Sequence, residues 1–440
     1  MKVESSDGPT LRQGSAWIAI ALGLNGLLTY GFLVVPARSG ALDVESYGLL
    51  TTLWFLVFTV GTGTMVPLEQ ELTRRTSEAV HRQATHAAGH QRWFHTAVAS
   101  VLLVLLCFSL AATVLTSSIS STLFRGEDSM VWVTLAALWG FAAFSLCRGW
   151  FAGIGRFDRY AVLIVIDAGV RFVFVVILIY FVGTQSASSI GLGVALGLGV
   201  AGVVGLVAGR IRPRPADRAA VGEFSRGWST LSASQCLAQA VINGPVLLAP
   251  LLVSDSSGEV VGQIGTVLVL ARAPMTFLPS VTATLLPLMT RRVFDNESVL
   301  LRKMLRQISM AMMLSTVIGG ALAFAVGPQV VGFLFGEEFR LRPLETGLLA
   351  VGSVLFIWAS IESIGLLAFS RRGLISAAWA IAAGAGAATT VLVRSDVALR
   401  LGTALVIASS AGVVVQRFAT RRQLDSLEGE RMAGASTGAQ

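Results

Sequence analysis

Long apolar runs, separated by short arginine-bearing stretches, fill the chain from residue 15 to residue 416. Most are close to the ~20 residues that a helix needs to cross a bilayer. The pattern predicts twelve spans, at 15–37, 47–68, 93–117, 131–152, 161–182, 188–209, 228–252, 262–289, 305–327, 345–369, 374–393 and 399–416. The gaps 38–46 and 253–261 are short, so the helices flanking each are expected to be antiparallel neighbours. One span departs from the rest. Between Gly262 and Arg292 the chain places Arg272 in mid-run and interrupts it with Pro274, Pro279 and Pro287. A charge at that depth is costly unless it faces a bundle interior or a wet cavity, and proline kinks a helix. The expectation is a kinked transmembrane helix lining a cavity.

Charge orients the spans. With the N-terminus inside, 25 of the 33 Lys and Arg residues fall on inner segments and six on outer loops, leaving Arg171 and Arg272 within spans. This is the positive-inside bias, and it favours an even number of crossings with both termini cytoplasmic. The chain also repeats itself. Gly14, a span, a short outer loop and a second span lead to Thr73-Arg74-Arg75; Gly227 opens the same succession, ending in Thr290-Arg291-Arg292. The two intervals differ by four residues. The outer end of span 3 carries Leu123-Phe124-Arg125-Gly126 and that of span 9 Leu334-Phe335-Gly336-Glu337. The expected organisation is a cytoplasmic segment 1–14, a first lobe 15–209, a cytoplasmic linker 210–227, a second lobe 228–416 and a flexible polar tail 417–440. Two six-helix halves in parallel topology suit alternating access around a central cavity.

Composition narrows the class. Of 440 residues, 54% are hydrophobic and 13% charged, and mean hydropathy is +0.73, which marks an all-α polytopic membrane protein. The net charge of +8 sits in short loops between spans, which sets aside a nucleic-acid partner. Residues 1–14 lack the compact basic start of a signal peptide, so the first span is expected to be retained. Nothing resembles an enzyme: there is no P-loop, HExxH or CxxC, and no cofactor motif. Cys107, Cys147 and Cys236 lie in apolar runs without metal spacing. The histidines His81, His86, His90 and His95 cluster on the inner side, where an interfacial helix is favoured over a zinc site.

Polar residues inside the spans are the candidate chemistry. Thr276, Ser280 and Thr284 follow Arg272 at intervals of four, so a continuous helix would carry them on one face. Arg272 offers a fixed charge and up to five donors to an anion, or it locks the bundle by pairing with a carboxylate. In span 7, Ser232, Gln235, Gln239 and Asn243 form a stripe, and Asn25 and Thr29 form a smaller one in span 1. Either stripe is helix–helix glue or cavity lining. Asp167 and Arg171 are four apart in span 5 and are expected to pair; a coupling role for Asp167 is the alternative. Glu362, beside Ser360 and Ser363 in span 10, is a candidate for binding a proton or cation, or for meeting Arg272. Glu69 is expected to be an interfacial charge.

Four segments carry a family resemblance over nearly the whole chain. They are Val44-Glu45-Ser46-Tyr47-Gly48, the run Arg148-Gly149-Trp150-Phe151-Ala152-Gly153-Ile154-Gly155-Arg156, Arg272-Ala273-Pro274 through Leu285-Leu286-Pro287, and Leu334-Phe335-Gly336-Glu337-Glu338-Phe339. In this order and frame the chain resembles the polysaccharide and O-antigen flippase branch of the multidrug, oligosaccharidyl-lipid and polysaccharide exporter superfamily. The resemblance implies a MATE-like fold of two lobes and a translocase of undecaprenyl-diphosphate-linked oligosaccharide in the bacterial cytoplasmic membrane. It implies partners in membrane lipids, glycosyltransferases and a polysaccharide polymerase, with Arg272 on the diphosphate, and coupling to protons, sodium or substrate flux. A cation-coupled drug or metabolite exporter of the same fold is the alternative. Lipid-II flippases of the superfamily usually have fourteen spans and several cavity arginines; twelve spans and two intramembrane arginines depart from that pattern.

Overall fold

The computed structural model describes residues 11–82, 89–209, 218–253 and 258–437, with side chains throughout except at 11–16, 81, 82, 89, 90, 218, 280, 283 and 429–437. Among these residues all regular structure is helical. The elements are α1 (Leu11–Arg38), α2 (Val44–Val60), α3 (Val66–Arg82), α4 (Gly89–Val114), α5 (Thr116–Leu123), α6 (Asp128–Gly153), α7 (Phe157–Ile177), α8 (Ala187–Gly209) and α9 (Arg218–Leu252), then α10 (Glu259–Ala271), α11 (Leu278–Phe294), α12 (Ser298–Phe335), α13 (Pro343–Ala368), α14 (Arg372–Leu392) and α15 (Val397–Thr437). Eleven helical segments are long and apolar enough to cross a membrane, which makes this a multi-pass membrane protein. Apolar side chains left bare of protein support the same conclusion. Leu103, Leu106 and Leu110 on α4, and Met313, Leu314, Val317 and Leu322 on α12, present surfaces that only lipid would solvate cheaply.

The chain divides into two units, Met1–Cys236 and Leu237–Gln440. In unit 1, α3 and α4 pack on α6, α6 packs on α8, and α7 packs on α8 and α1. In unit 2, α11 and α12 pack on α13, while α13 and α14 pack on α15. The order of neighbours is therefore the same in both: second and third spans on the fourth, fourth and fifth on the sixth. Small residues allow the closest of these approaches. A Cβ at Gly202 on α8 would stand 2.7 Å from that of Ala143 on α6.

Three expectations need correction. The span predicted at 262–289 is not one kinked helix. It is α10, a 3-10 segment Ala273–Phe277, and α11. Pro274 and Pro279 have no amide hydrogen to continue the α-helical ladder, so the chain passes through a tighter, poorer helix between them. The matching span of unit 1 is also irregular, with a π-helical turn at Gly61–Met65 between α2 and α3. Around it Thr59, Thr62 and Thr64 donate to the carbonyls four residues back.

The second correction concerns the tail. Expected to be flexible from residue 417, it instead continues α15 to Thr437. Buried Leu424 packs with Met289, Leu301 and Ile364, and Arg302 bonds Asp425 Oδ1 (2.8 Å) and Glu428 Oε2 (3.0 Å). As far as Glu428, an apolar contact on one face and ion pairs on another hold the polar extension in helical form.

The third concerns the start of the second half. Helix α9 begins at Arg218, and the unit division falls inside it rather than in the polar stretch 210–227. Phe224 is buried, Trp228 Nε1 donates to the Thr64 carbonyl (2.7 Å), and Glu223 pairs with Arg75, all within unit 1. Residues 210–217 lie outside the described residues.

Candidate functional site

Unit 2 holds the residue that the sequence pointed to most strongly. Arg272 stands where α10 ends and the 3-10 segment begins. Its Nη1 donates to Asn243 Oδ1 (2.5 Å) and its Nη2 to the Ile242 carbonyl of α9. Asn243, itself buried, passes the chain on by donating from Nδ2 to Gln239 Oε1 (3.0 Å). Pro245 lacks the amide hydrogen that would bond the Val241 carbonyl, so this turn of α9 is short of one backbone donor. The structure thus brings Gln239, Asn243 and Arg272 together.

The rest of the expected stripe is redistributed. Thr276 lies on the 3-10 segment, exposed, and donates to the Ala273 carbonyl (2.8 Å). Thr284 is exposed on α11, and the Ser280 side chain is outside the described residues. The helix break rotates one part of the segment relative to the other, so the four-residue spacing no longer defines one face. Gln235 is half-buried in unit 1, as is Asn25 on α1.

Glu362 on α13 is 3% exposed and engaged by two neutral donors. Ser309 Oγ lies 3.0 Å from its Oε1, and so does Trp358 Nε1. The expected alternative of an Arg272–Glu362 pair is not what forms: each has its own partners. Next to Glu362, Ser363 donates to Gln416 Oε1 (2.5 Å), which ties α13 to α15. The hydrogen-bond partners of this buried carboxyl are thus neutral, and it makes no ion pair with a described residue.

Unit 1 carries the opposite arrangement. Asp167 and Arg171 pair within α7, and Arg171 is 1% exposed. The guanidinium stands over the rings of Trp54 (5.0 Å), Phe32 (5.9 Å) and Phe58 (6.0 Å), so its charge is met by aromatic faces as well as by the carboxylate. Gly197 of α8 makes room at this level; a Cβ there would lie 2.6 Å from the Asp167 carbonyl oxygen and 2.8 Å from its Oδ1.

One cluster was not foreseen. Glu69, expected at the interface, is buried. It accepts from Arg148 Nη2 (2.8 Å) and Tyr160 Oη (3.1 Å), joining α3, α6 and α7. Arg148 also stands over the rings of Phe144 and Tyr160. The signal was present in Arg148 and Tyr160, at either end of the Gly149–Tyr160 connection, but pairing across 79 residues is a tertiary fact. In the loop beside it, hydrogen bonding to Asp158 raises the Arg156 guanidinium above its ordinary range. Among the described residues, no group of His, Cys, Asp and Glu is placed to hold a metal. The side chains of His81 and His90, and the whole of His86, lie outside the described residues, and His95 Nδ1 meets the Gln91 carbonyl (2.8 Å).

No family model matches the sequence, and a search of curated proteins finds no match. Solved structures do match. An inward-facing multidrug resistance MATE family transporter of the MOP superfamily aligns with a TM-score of 0.73 at 16% identity, over 94% of this chain and 99% of the other. An outward-facing structure of such a transporter aligns with 0.60 at 16%, over 95% and 97%. The eukaryotic MATE transporter AtDTX14 gives 0.64 at 15%, over 95% and 98%. With both chains covered almost end to end, the fold of this protein is that of the MATE transporters.

Proposed function

We propose that the protein is an alternating-access membrane transporter that exports small organic molecules, driven by a proton or sodium gradient. The observation that carries this reading is Glu362, a buried carboxyl in a helical bundle whose partners are the neutral donors Ser309 and Trp358. Glu362 is held by neutral donors and not by an ion pair with a described residue, whereas the carboxylate of Asp167 is committed to Arg171. The structural neighbours described as multidrug resistance transporters support the same class. The test is gradient-driven transport of a fluorescent organic cation in proteoliposomes. Glu362→Gln is expected to slow it about tenfold or more, in line with a coupling free energy of ordinary size. Dye transport that keeps its rate and gradient dependence in the variant overturns the coupling role.

A second reading, translocation of a polyprenyl-diphosphate-linked glycan, is favoured by Arg272 at a helix break, where a guanidinium can leave Asn243 for phosphate oxygens. Leaflet-specific assay of a labelled glycan lipid separates the two. Translocation of that lipid, lost in Arg272→Ala and partly kept in Arg272→Lys, without dye transport, selects the second reading.

A further inference from the structure

Helices α12 and α15 of unit 2 converge, beside Glu362 of α13, on a cavity of about 480 Å³ whose arginines the transport readings above leave unexplained. Each presents a pair of arginines one helical turn apart: Arg302 and Arg306 from α12, Arg417 and Arg421 from α15. The positive-inside pattern assigns this end of the unit to the cytoplasmic side. Four like charges around one space repel each other unless something neutralises them.

The protein neutralises only part of that charge. Of the carboxylates on the cavity, Asp425 is bonded to Arg302, which also holds Glu428. Glu362 is engaged by Ser309 and Trp358. Arg306, Arg417 and Arg421 make no hydrogen bond or ion pair with any described residue. A second observation points to the same place. Thr420 lines the cavity and is 2% exposed, yet its buried Oγ1 has no partner among the described residues. A buried hydroxyl without a partner costs about 1–3 kcal/mol unless a ligand or water meets it. Around it stand three uncommitted guanidinium groups, whose planar forks suit the oxygens of a phosphate. Leu305 and Leu424 supply an apolar wall, and the volume exceeds what a bare phosphate needs.

We propose that this cavity binds a phosphate group, supplied either as a free anion or as the headgroup of an acidic phospholipid. Arg306, Arg417 and Arg421 contact the phosphate oxygens, and Thr420 Oγ1 completes the set. The site is separate from Arg272 and depends on neither reading of the cargo. Its occupancy bridges α12 and α15 beside Glu362.

The experiment uses the purified full-length protein in phosphate-free sulfonate buffer, with binding read by thermal shift and by microscale thermophoresis. One arm titrates inorganic phosphate; the other titrates short-chain phosphatidylglycerol against phosphatidylcholine. Saturable binding in at least one arm is expected, weakened about tenfold or more in Arg306→Gln/Arg417→Gln, the loss due to charge-assisted hydrogen bonds. Arg422→Gln is the control, because Arg422 stacks on Phe418 and does not line the cavity. Binding of phosphate upholds the site as one for a free anion, and binding of phosphatidylglycerol alone upholds it as one for a lipid headgroup. Should the double variant fail to fold, Arg421→Gln, at an exposed position, carries the test by itself. The proposal is overturned if neither arm saturates, or if the cavity variants bind as tightly as the wild type.

Discussion

Asp167 and Arg171 show how much a single buried charge depends on its neighbours. Arg171 has no route to water at 1% exposure, and three aromatic rings cannot replace a counter-charge. Removing one partner from a buried pair costs about 3–5 kcal/mol, because the other is left uncompensated. Asp167→Asn is therefore expected to lower the unfolding temperature markedly in detergent. Neutralising both, as Asp167→Leu with Arg171→Met, is expected to recover most of that loss. A double variant no more stable than Asp167→Asn alone would count against a structural pair. The pairing itself could be read from the i, i+4 spacing, since both residues lie on one turn of one helix. The burial of Glu69 could not, since its partners Arg148 and Tyr160 come from α6 and α7. A carboxylate at the mouth of a span looks interfacial until the helices that cover it are known.

At the scale of elements, the interrupted span 259–294 carries the main lesson. The prolines and the arginine are visible in sequence, and their consequence, an irregular helix, follows from the missing amide donors. What periodicity alone misjudged was the extent. It assumed a continuous helix through Arg272, Thr276, Ser280 and Thr284, whereas the 3-10 segment Ala273–Phe277 resets the register. The tail of α15 was misread for a related reason: its composition is polar, but Leu424, Asp425 and Glu428 meet the second unit's own helices. Local composition does not report such contacts. The break makes a direct prediction. Pro274→Ala restores an amide donor toward the Leu270 carbonyl, so α10 is expected to extend and the amides of 271–276 to exchange about fivefold more slowly, the effect of one net hydrogen bond. Arg272 then leaves its terminal position, and transport is expected to fall while the protein remains folded. Exchange and transport both unchanged would mean that Pro279 alone maintains the break.

For the whole molecule, the interrupted span decides the topology. Eleven segments are long enough to cross on their own, and an odd number puts the two ends on opposite sides of the membrane. With α10, the 3-10 segment and α11 counted as a twelfth crossing, both ends fall on the same side. Laid end to end these pieces have roughly 55 Å of helical axis, more than the ~30 Å hydrocarbon core requires even with a bend. Charge argues the same way. If the segment did not cross, Arg291, Arg292, Arg302, Lys303, Arg306, Arg371, Arg372, Arg417, Arg421 and Arg422 would all move to the outer face, and the bias of basic residues would nearly vanish. The packing order points the same way: α10 and α11 pack on α13 as α2 and α3 pack on α6 in unit 1. Reporter tags fused to the two ends of the chain are therefore expected to be shielded from protease in intact cells and cleaved after permeabilisation. A C-terminal tag cleaved from outside while the N-terminal tag is protected would show that the segment turns back, and it would put the arginine-lined cavity of unit 2 on the outer face.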